Sequence, residues 1–595
     1  MRLKISHFMI LIFQCSIVSA QKTDSLKWWN PAENSFSAIE GQAWTNEAHE
    51  TYGRLPLRAE KIVRKQVWDL SRNSTGLVIR FKTKAQQITV AYKVKEGLAM
   101  PHFSATGVSG VDMYSVNKNG GWNWVPGKYS FTYVGTNKNT ITYQYNIIGD
   151  NGIYKNGREY RLYLPIYNTV EWLKIGVPEN TTLNPMPARI DKPIAIYGTS
   201  ITQGACVSRP GMAWTSIVGR KLNQPVINLG FSGNGTLDEE IIELMTEIDA
   251  KVYVLDCLAN LMDRTKFPLE EVKRRLIESV NMIHAKRPMV PIILPAFGAF
   301  NEHRLDKDRG TAIDEINETL KQAYTILKAS GIVNVYILPA GEMQMGMDDT
   351  VDGNHATDLG MINYATAFEK IFRTVLEEPS GNITTTMPCT QYREDAIYNW
   401  EERHTELVKM NASNPPKTVL LGSSDVHYWG GQPTSVISRG SDSWNQFIEP
   451  LGVRNFGFAG DRIENILWRV EHGELDGYKA DKVILMVGGY NLPINNDDEV
   501  LKGIKSLIQT IFIKQPQTSI LLVGLLPQRS QENRISNLNK KITEIANNYK
   551  IQYADPGKLL LNKNEKIDET LFIDGIYPDT EGYSLLAKFL KAELH

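Results

Sequence analysis

Two apolar segments that each stop at a Gly-x-Ser sequence constrain the fold of this chain most strongly. "PIAIYGTS" covers residues 193–200, and "TVLLGSS" covers residues 418–424. A short, continuous apolar run that ends at a glycine turn is typical of a parallel strand buried on both faces. Such a strand delivers the residues that follow it to the carboxyl edge of its sheet. We therefore predict two parallel sheets, with Ser200 at the edge of one and Ser424 at the edge of the other.

Alternating strands and amphipathic helices follow both serines. After Ser200 the apolar segments are "PVINLG", "KVYVLD", "VPIILPA" and "NVYILPA", with helical stretches such as "PLEEVKRRLIESVNMIHAKR" between them. After Ser424 the segments "GVRNFG", "KVILMVGG", "SILLVGLLP" and "IQYADP" repeat this order at similar spacing. The alternation predicts parallel sheets that are covered by helices on both faces. The repetition indicates an internal duplication of one α/β domain.

The sequence before these two units has a different spacing of apolar residues. Segments such as "GLVIRFKT", "QQITVAYKV" and "NTITYQYNI" alternate apolar and polar residues and are rich in β-branched and aromatic types. They predict two-faced antiparallel strands, and we interpret the region as a β-sandwich. The predicted domains are a β-sandwich over 21–187, an α/β domain over 188–378, a linker with one helix over 379–416 and a second α/β domain over 417–595.

The first twenty residues have the anatomy of a secretory signal peptide. A short basic start and an apolar stretch lead to the small residues Val18, Ser19 and Ala20. We predict cleavage after Ala20 and a secreted or periplasmic protein. A surface lipoprotein anchored through Cys15 is the weaker alternative, because Gln14 is a poor residue before a lipidated cysteine. No later stretch is apolar enough to span a bilayer, so we expect no integral membrane segment after cleavage.

Charge and cysteine content argue against several classes of function. The chain has 65 basic and 66 acidic side chains, a balance that favours neither nucleic acid nor an anionic membrane as a partner. Cys206, Cys257 and Cys389 remain after cleavage and contain no CxxC pair. The sequence therefore predicts neither a disulfide framework nor a structural zinc site.

The first α/β unit carries, in order, the residue types that a serine hydrolase needs. Histidine can take the proton of a serine hydroxyl, aspartate can orient that histidine, and glycine N–H groups and asparagine amides can stabilise an oxyanion. Alone, a Gly-x-Ser or a DxxH is more often an ordinary turn. Together, past successive strands, they should converge at one sheet edge. The candidates are Ser200, Gly233 in "NLGFSGNG", Asn260 in "VLDCLANL", and Asp352 and His355 in "VDGNHATDLG".

These motifs resemble the SGNH (GDSL-type) hydrolase superfamily. "GTSITQG", "NLGFSGNG" and "DGNH" are similar to a bacterial subfamily with a β-sandwich ahead of the hydrolase domain, and "GVDMY" at 110–114 fits its Gly-x-Asp-Leu-Tyr-like signature. Thr199 and Leu258 stand where this family has an aspartate and a glycine. The resemblance implies flavodoxin-like α/β domains and chemistry without a metal or cofactor. It implies that Ser200 is the nucleophile, His355 the general base, Asp352 its orienting group, and Ser200, Gly233 and Asn260 the oxyanion hole.

The second α/β unit resembles the α-subunit type of platelet-activating-factor acetylhydrolase, through "NFGFAGDRIENILWRVEHGELDGYKADKVILMVGGYN" and "DGIYPDTEGY". In this resemblance Ser424 and Gly460 match the nucleophile and the oxyanion glycine, and Asp574 is retained. Tyr490 replaces the oxyanion asparagine and Tyr577 replaces the histidine. A tyrosine, with a pKa near 10, is a poor general base, so we predict a degenerate second site. His427 could act instead if the turn after Ser424 folded it back.

The sequence thus predicts a secreted serine esterase that works through an acyl-serine intermediate. The resemblance implies a small acyl group such as acetyl, while secretion and the added sandwich favour an acylated carbohydrate as substrate. One alternative is a carbohydrate-binding or scaffolding protein with two inactive hydrolase folds. The other is a lipase or thioesterase. Arg209 in "SRPGM" either binds a substrate group or forms a structural salt bridge.

Overall fold

The structure is a computed structural model. It describes residues 25–48, 51–131, 140–147, 154, 157–298, 306–379 and 383–594 of the 595-residue chain. The predicted signal peptide lies outside the described residues. Within the described part of the chain, no helix combines the length and the hydropathy needed to cross a bilayer.

Two antiparallel sheets dominate the N-terminal region. Their strands are β1 (Leu26–Trp29), β2 (Ile39–Glu40), β3 (Val78–Thr83), β4 (Gln87–Val94), β5 (Asp112–Val116), β6 (Trp122–Val125), β7 (Gly127–Ser130), β8 (Thr140–Asn146), β9 (Arg158–Tyr163), β10 (Val170–Pro178) and β11 (Leu183–Pro185). One sheet has the order β1-β10-β4-β8-β7, and the other has β11-β3-β9-β5-β6 with β2 paired to β3. Short helices α1 (Thr45–Ala48), α2 (Lys65–Ser71) and α3 (Ala105–Val108) interrupt the strands. Both sheets supply side chains, Phe81 and Tyr92 among them, to one buried apolar cluster.

The first α/β domain contains the predicted parallel sheet. Its strands are β12 (Ile194–Gly198), β13 (Val226–Gly230), β14 (Val252–Asp256), β15 (Ile292–Pro295) and β16 (Val335–Leu338), in the order β13-β12-β14-β15-β16. This order is that of flavodoxin-like, doubly wound sheets. Its helices are α4 (Ser200–Gln203), α5 (Trp214–Lys221), α6 (Glu239–Thr246), α7 (Leu269–Lys286), α8 (Lys307–Ala329) and α9 (Asp358–Val375).

The second α/β domain repeats this topology. Its strands are β17 (Thr418–Gly422), β18 (Val453–Gly457), β19 (Lys482–Met486), β20 (Ser519–Val523) and β21 (Gln552–Ala554), in the parallel order β18-β17-β19-β20-β21. The accompanying helices are α10 (Trp400–Ser413), α11 (Ser424–His427), α12 (Ser441–Ser443), α13 (Ile463–Arg469), α14 (Asp497–Lys514), α15 (Glu532–Tyr549) and α16 (Thr580–Leu594). The prediction of two parallel α/β sheets is confirmed.

The N-terminal region shares its core with the first α/β domain. Trp44, Leu55 and Tyr167 lie in the same buried apolar cluster as the strands of the first parallel sheet. The buried guanidinium of Arg54 donates hydrogen bonds to the carbonyls of Asn228 (3.0 Å) and Gly230 (2.7 Å) in β13. Because a buried cation is costly unless it is hydrogen-bonded, these contacts hold the two regions in a fixed relation.

The segment between the α/β domains also packs against the N-terminal region. Tyr392 donates a hydrogen bond of 2.6 Å to Glu159 on β9. Arg80 on β3 pairs with Glu159 at 3.2 Å and with Glu401 on α10 at 2.7 Å. Removing one member of such a buried network commonly costs about 3–5 kcal/mol. The segment therefore connects the N-terminal region to the second α/β domain through specific contacts.

Candidate active site

Ser200 stands at the sharp turn between β12 and α4. Thr199 is the N-cap of α4, and its hydroxyl accepts the N–H of Ile201 at 3.4 Å. Gly204 ends this single helical turn with φ +102°, a left-handed value that favours glycine. Ser200 is only 5% exposed. The local sequence thus fixes the serine at the carboxyl edge of the sheet.

The loop before α9 explains the DxxH spacing. One carboxylate oxygen of Asp352 accepts the backbone N–H groups of Asn354 (3.1 Å) and His355 (2.7 Å). Val351 donates its N–H back to the carbonyl of His355 at 2.8 Å, and Gly353 has φ +82°. With a spacing of three positions, Asp352 can cap this turn with one oxygen and reach the imidazole of His355 with the other.

Ser200, His355 and Asp352 form a continuous chain of hydrogen bonds. The Nε2 atom of His355 lies 2.9 Å from the Oγ atom of Ser200, and its Nδ1 atom lies 2.7 Å from the Oδ2 atom of Asp352. Partial burial alone would raise the pKa of Asp352, but the hydrogen bonds from His355 hold that pKa below its ordinary value. Asp352 is therefore ionised at neutral pH and can stabilise a positively charged imidazole.

Gly233 and Asn260 belong to two loops that meet next to this chain. Gly230 ends β13 and Asp256 ends β14, and both residues are in register with Gly198 of β12. The two loops therefore begin at the same height along the edge of the sheet. The side-chain oxygen of Asn260 accepts the N–H of Gly235 at 3.0 Å, which leaves its NH₂ group as the donor for another partner. Gly233 has φ +67°, and a Cβ atom placed there would meet no atom of the described residues within 4 Å. The described residues therefore leave the space above this glycine open.

Three residues at the site were not predicted from the sequence. Arg54 supports the strand that leads into the glycine loop, and its guanidinium lies 4.9 Å from the ring centroid of Phe231. Gln203 accepts the N–H of Ser232 at 2.9 Å. The ring centroid of His102 lies 5.8 Å from that of His355. Gln203 could have been predicted as a site residue because it lies in the same helical turn as Ser200. Arg54 and His102 are far from Ser200 in the sequence, and no motif around them indicates a place at the site.

Arg209 forms a salt bridge, one of the two roles that the sequence allows. Its guanidinium lies 2.5 Å from the carboxylate of Asp112 and 2.6 Å from the hydroxyl of Tyr114. Both partners belong to "GVDMY" on β5. This signature therefore fixes the segment that follows α4 to the N-terminal region.

The second α/β domain repeats the loop geometry with different side chains. Asp574 accepts the N–H of Tyr577 at 3.0 Å, and the carbonyl of Tyr577 accepts the N–H of Ile573 at 2.9 Å. The hydroxyl of Tyr577 lies 2.5 Å from that of Tyr490. Burial and the neighbouring Tyr490 raise the pKa of Tyr577 well above its ordinary value. This phenol cannot take a proton from a serine at neutral pH.

His427 does not supply a replacement base for Ser424. The Oγ atom of Ser424 accepts the N–H of Gly460 at 2.9 Å. The Nδ1 atom of His427 lies 3.2 Å from the carbonyl of Gly457, and its ring packs 4.6 Å from that of Tyr398. Burial and the charge of Arg403 lower the pKa of His427 to about 2. The Nε2 atom of His427 has no hydrogen-bond partner among the described residues.

Comparison with known proteins agrees with this layout. The model of the GDSL-like lipase/acylhydrolase family matches residues 191–373, a second model of the same description matches 420–585, and the model of the N-terminus of SGNH-hydrolase-type esterases matches 26–183. A solved structure of a GDSL-like lipase from Bacteroides ovatus superimposes with a TM-score of 0.51 at 25% identity, over 59% of this chain and 98% of that one.

Two platelet-activating-factor acetylhydrolase subunits are also similar to the chain. The human IB subunit alpha2 is 30% identical over 146 residues, which are 24% of this chain and 59% of that subunit. The rat IB subunit alpha1 is 26% identical over 202 residues, or 82% of its length. The chain thus spans about three fifths of the length of the first of these relatives. Taken with the duplicated sheets and the ordered motifs, these matches place the chain in the SGNH (GDSL-like) lipase/acylhydrolase superfamily, with two copies of its α/β domain.

Proposed function

We propose that this protein is a secreted serine esterase that hydrolyses acetyl esters on polysaccharides, with its active site at Ser200. The observation that carries the proposal is the hydrogen-bonded chain Ser200–His355–Asp352, with distances of 2.9 and 2.7 Å. An inactive scaffold has no need of this arrangement, and the second domain retains the fold without it. Membership in an acylhydrolase superfamily supports the reaction class.

The geometry supports a two-step acyl transfer. His355 takes the proton of Ser200 as the Oγ atom attacks the ester carbonyl carbon, and the oxyanion that forms accepts hydrogen bonds from the backbone N–H groups of Ser200 and Gly233 and the amide of Asn260. The intermediate collapses, and the leaving alcohol takes the proton from His355. A water molecule, deprotonated by His355, then attacks the acyl-serine and releases the carboxylic acid. Asp352 holds the imidazole in the required tautomer throughout.

The finer parts of the proposal rest on different observations. The shared apolar cluster supports a face-to-face β-sandwich for the two antiparallel sheets, over the predicted range 21–187. The polysaccharide substrate and secretion rest on the signal-like start of the sequence, which lies outside the described residues. N-terminal sequencing of the exported protein tests cleavage after Ala20 and distinguishes it from lipidation at Cys15.

The test is acetate release by the purified full chain from a panel of acetylated plant and bacterial glycans. Parallel assays with 4-nitrophenyl acetate, butyrate and octanoate report the preferred acyl length. A fluorophosphonate should label Ser200 alone, as identified by peptide mass spectrometry. A preference for octanoate would favour a lipase, and hydrolysis that persists in Ser200→Ala would reject the proposed nucleophile. No hydrolysis and no labelling would favour the scaffold alternative.

A further inference from the structure

The histidine of the triad belongs to a cluster of atoms of the types that bind metal ions. His102, Cys206 and His355 each offer one donor atom, and these three atoms lie within 4.8 Å of one another. The residues come from three separate places: His102 from the turn before α3, Cys206 from the turn after α4, and His355 from the loop before α9. The fold, and not the sequence spacing, brings them together.

The donor types favour a particular class of ion. Imidazole nitrogen and thiolate sulfur suit Zn²⁺ and copper, whereas Mg²⁺ and Ca²⁺ prefer oxygen ligands. Zinc binds nitrogen at about 2.0–2.1 Å and sulfur at about 2.3 Å, so tetrahedral donors lie roughly 3.5 Å apart. A closure of about 1 Å brings the three atoms to that spacing. His102 is exposed on a turn, so its side chain can make this movement.

A metal at this position would interfere with the reaction. Both ring nitrogens of His355 already have partners, since Nδ1 lies 2.7 Å from Asp352 and Nε2 lies 2.9 Å from Ser200. An ion bound to Nε2 removes the acceptor for the serine proton. An ion bound to Nδ1 instead removes the contact that orients the imidazole. Either way the general base is lost.

We propose that His102, Cys206 and His355 form an inhibitory site for a zinc-class divalent cation, and that an ion bound there switches off Ser200. The Cys206 thiol releases its proton to solvent as its sulfur binds the metal, and no oxidation or reduction takes place. The inhibition rests on the proposed esterase function, whereas the binding does not. His102 gives the N-terminal region a direct part in this control.

Binding is tested on the full chain without substrate, with Co²⁺ as the probe. We expect one ion per chain and a thiolate-to-Co²⁺ absorption band in the near ultraviolet. Cys206→Ser should abolish the band, and His102→Ala should weaken binding at least about tenfold, because each removes one of three ligands. Cys389→Ser and His284→Ala, which change residues outside the cluster, are the matched controls. An unchanged band in Cys206→Ser would overturn the site.

Inhibition is tested with Zn²⁺ on ester hydrolysis, each variant being compared with its own uninhibited rate. We expect His102→Ala to require at least about tenfold more Zn²⁺ for half inhibition than the wild type and His284→Ala, while Mg²⁺ has no effect. Equal Zn²⁺ sensitivity in His102→Ala and the wild type would overturn the inhibitory role. A chain that binds Co²⁺ through Cys206 but hydrolyses no ester would show that the proposed function fails while the metal site exists.

Discussion

The two α/β domains share a strand order and a serine position, yet in the part of the chain that the structure describes only the first holds a complete triad. In both, an aspartate accepts the N–H of the residue three positions later in the loop before the last helix. That residue is His355 in the first domain and Tyr577 in the second. The aspartate and the following glycine, which has φ +82° in one loop and +83° in the other, give the loop its shape. The base could therefore be lost without loss of the fold.

The domains also differ in what covers the glycine after the second strand. No atom of the described part of the chain fills the space above Gly233, whereas a Cβ atom at Gly460 would lie 2.9 Å from the side chain of Glu394. Arg393 donates hydrogen bonds of 2.9 and 2.7 Å to the carbonyl of Gly460. The segment between the domains thus packs on the edge where the second domain would bind a substrate. The described residues thus leave this edge open in the first domain, whereas in the second domain it serves packing.

The strongest test of this contrast is to remove each serine in turn. Ser200→Ala should lower ester turnover by the full chain at least about a thousandfold, because loss of a triad member commonly costs that much. Ser424→Ala should leave turnover nearly unchanged, since neither Tyr577 nor His427 can act as a base for Ser424. The measurement is kcat for 4-nitrophenyl acetate. If Ser424→Ala removed a substantial share of the activity, the second site would not be degenerate.

Local signals account for the parts of this contrast that the sequence predicted. Ser200, His355 and Ser424 lie in short stretches whose turn residues and neighbouring strands are next to them in the chain, so their positions at the sheet edges could be predicted. Arg54 and His102 act across more than a hundred residues and could not be predicted, because nothing near them in sequence marks their partners. Glu394 covers Gly460 because of the way the linking segment packs on the second domain. The spacing of apolar residues in the sequence does not predict this packing.

A second test uses one strand-end position that differs between the domains. Asp256 and Met486 are in register with Gly198 and Gly422, respectively, at the ends of β14 and β19. Burial raises the pKa of Asp256 to about 6, although its carboxylate accepts a hydrogen bond from Thr202. Between about pH 4 and 6 the unfolded chain releases this proton while the folded chain keeps it, so stability falls as pH rises.

We expect Asp256→Asn to remove this loss of stability, which amounts to up to about 3 kcal/mol in the free energy of unfolding at pH 7. The substitution should therefore raise the Tm at pH 7. Below about pH 4 the variant and the wild type should be equally stable, because both states of the wild type are then protonated. Thermal unfolding between pH 4 and pH 7 measures the difference. Asp308→Asn, at an exposed aspartate, is the control. A wild-type Tm that rises between pH 4 and 6 relative to the variant would contradict the sign.

A third test compares the residues at the oxyanion position. Asn260→Ala should lower kcat about a hundredfold, or about 2.7 kcal/mol, with little change in KM, because an oxyanion donor acts mainly in the transition state. Tyr490→Ala, at the matching position of the second domain, should leave both constants unchanged. Steady-state kinetics on one acetyl ester measures both. An unchanged kcat in Asn260→Ala would mean that another group donates to the oxyanion.

The smallest effect is expected from repair of the second site. In a Ser200→Ala background, Tyr577→His combined with Tyr490→Asn returns an imidazole next to Asp574 and an amide near Gly460. We expect at most weak acetyl ester hydrolysis, because catalytic groups must be placed within about half an ångström by their supporting neighbours. Glu394 and Arg393 also remain above Gly460. Glu394→Ala is then added to these changes. If substrate access to Gly460 limits the residual hydrolysis rate, this substitution should raise that rate. If the placement of the imidazole limits the rate, the substitution should leave it unchanged. Rapid turnover by the repaired variant without that addition would show that the loss of two side chains, and not a change in the surrounding edge, separates the two domains.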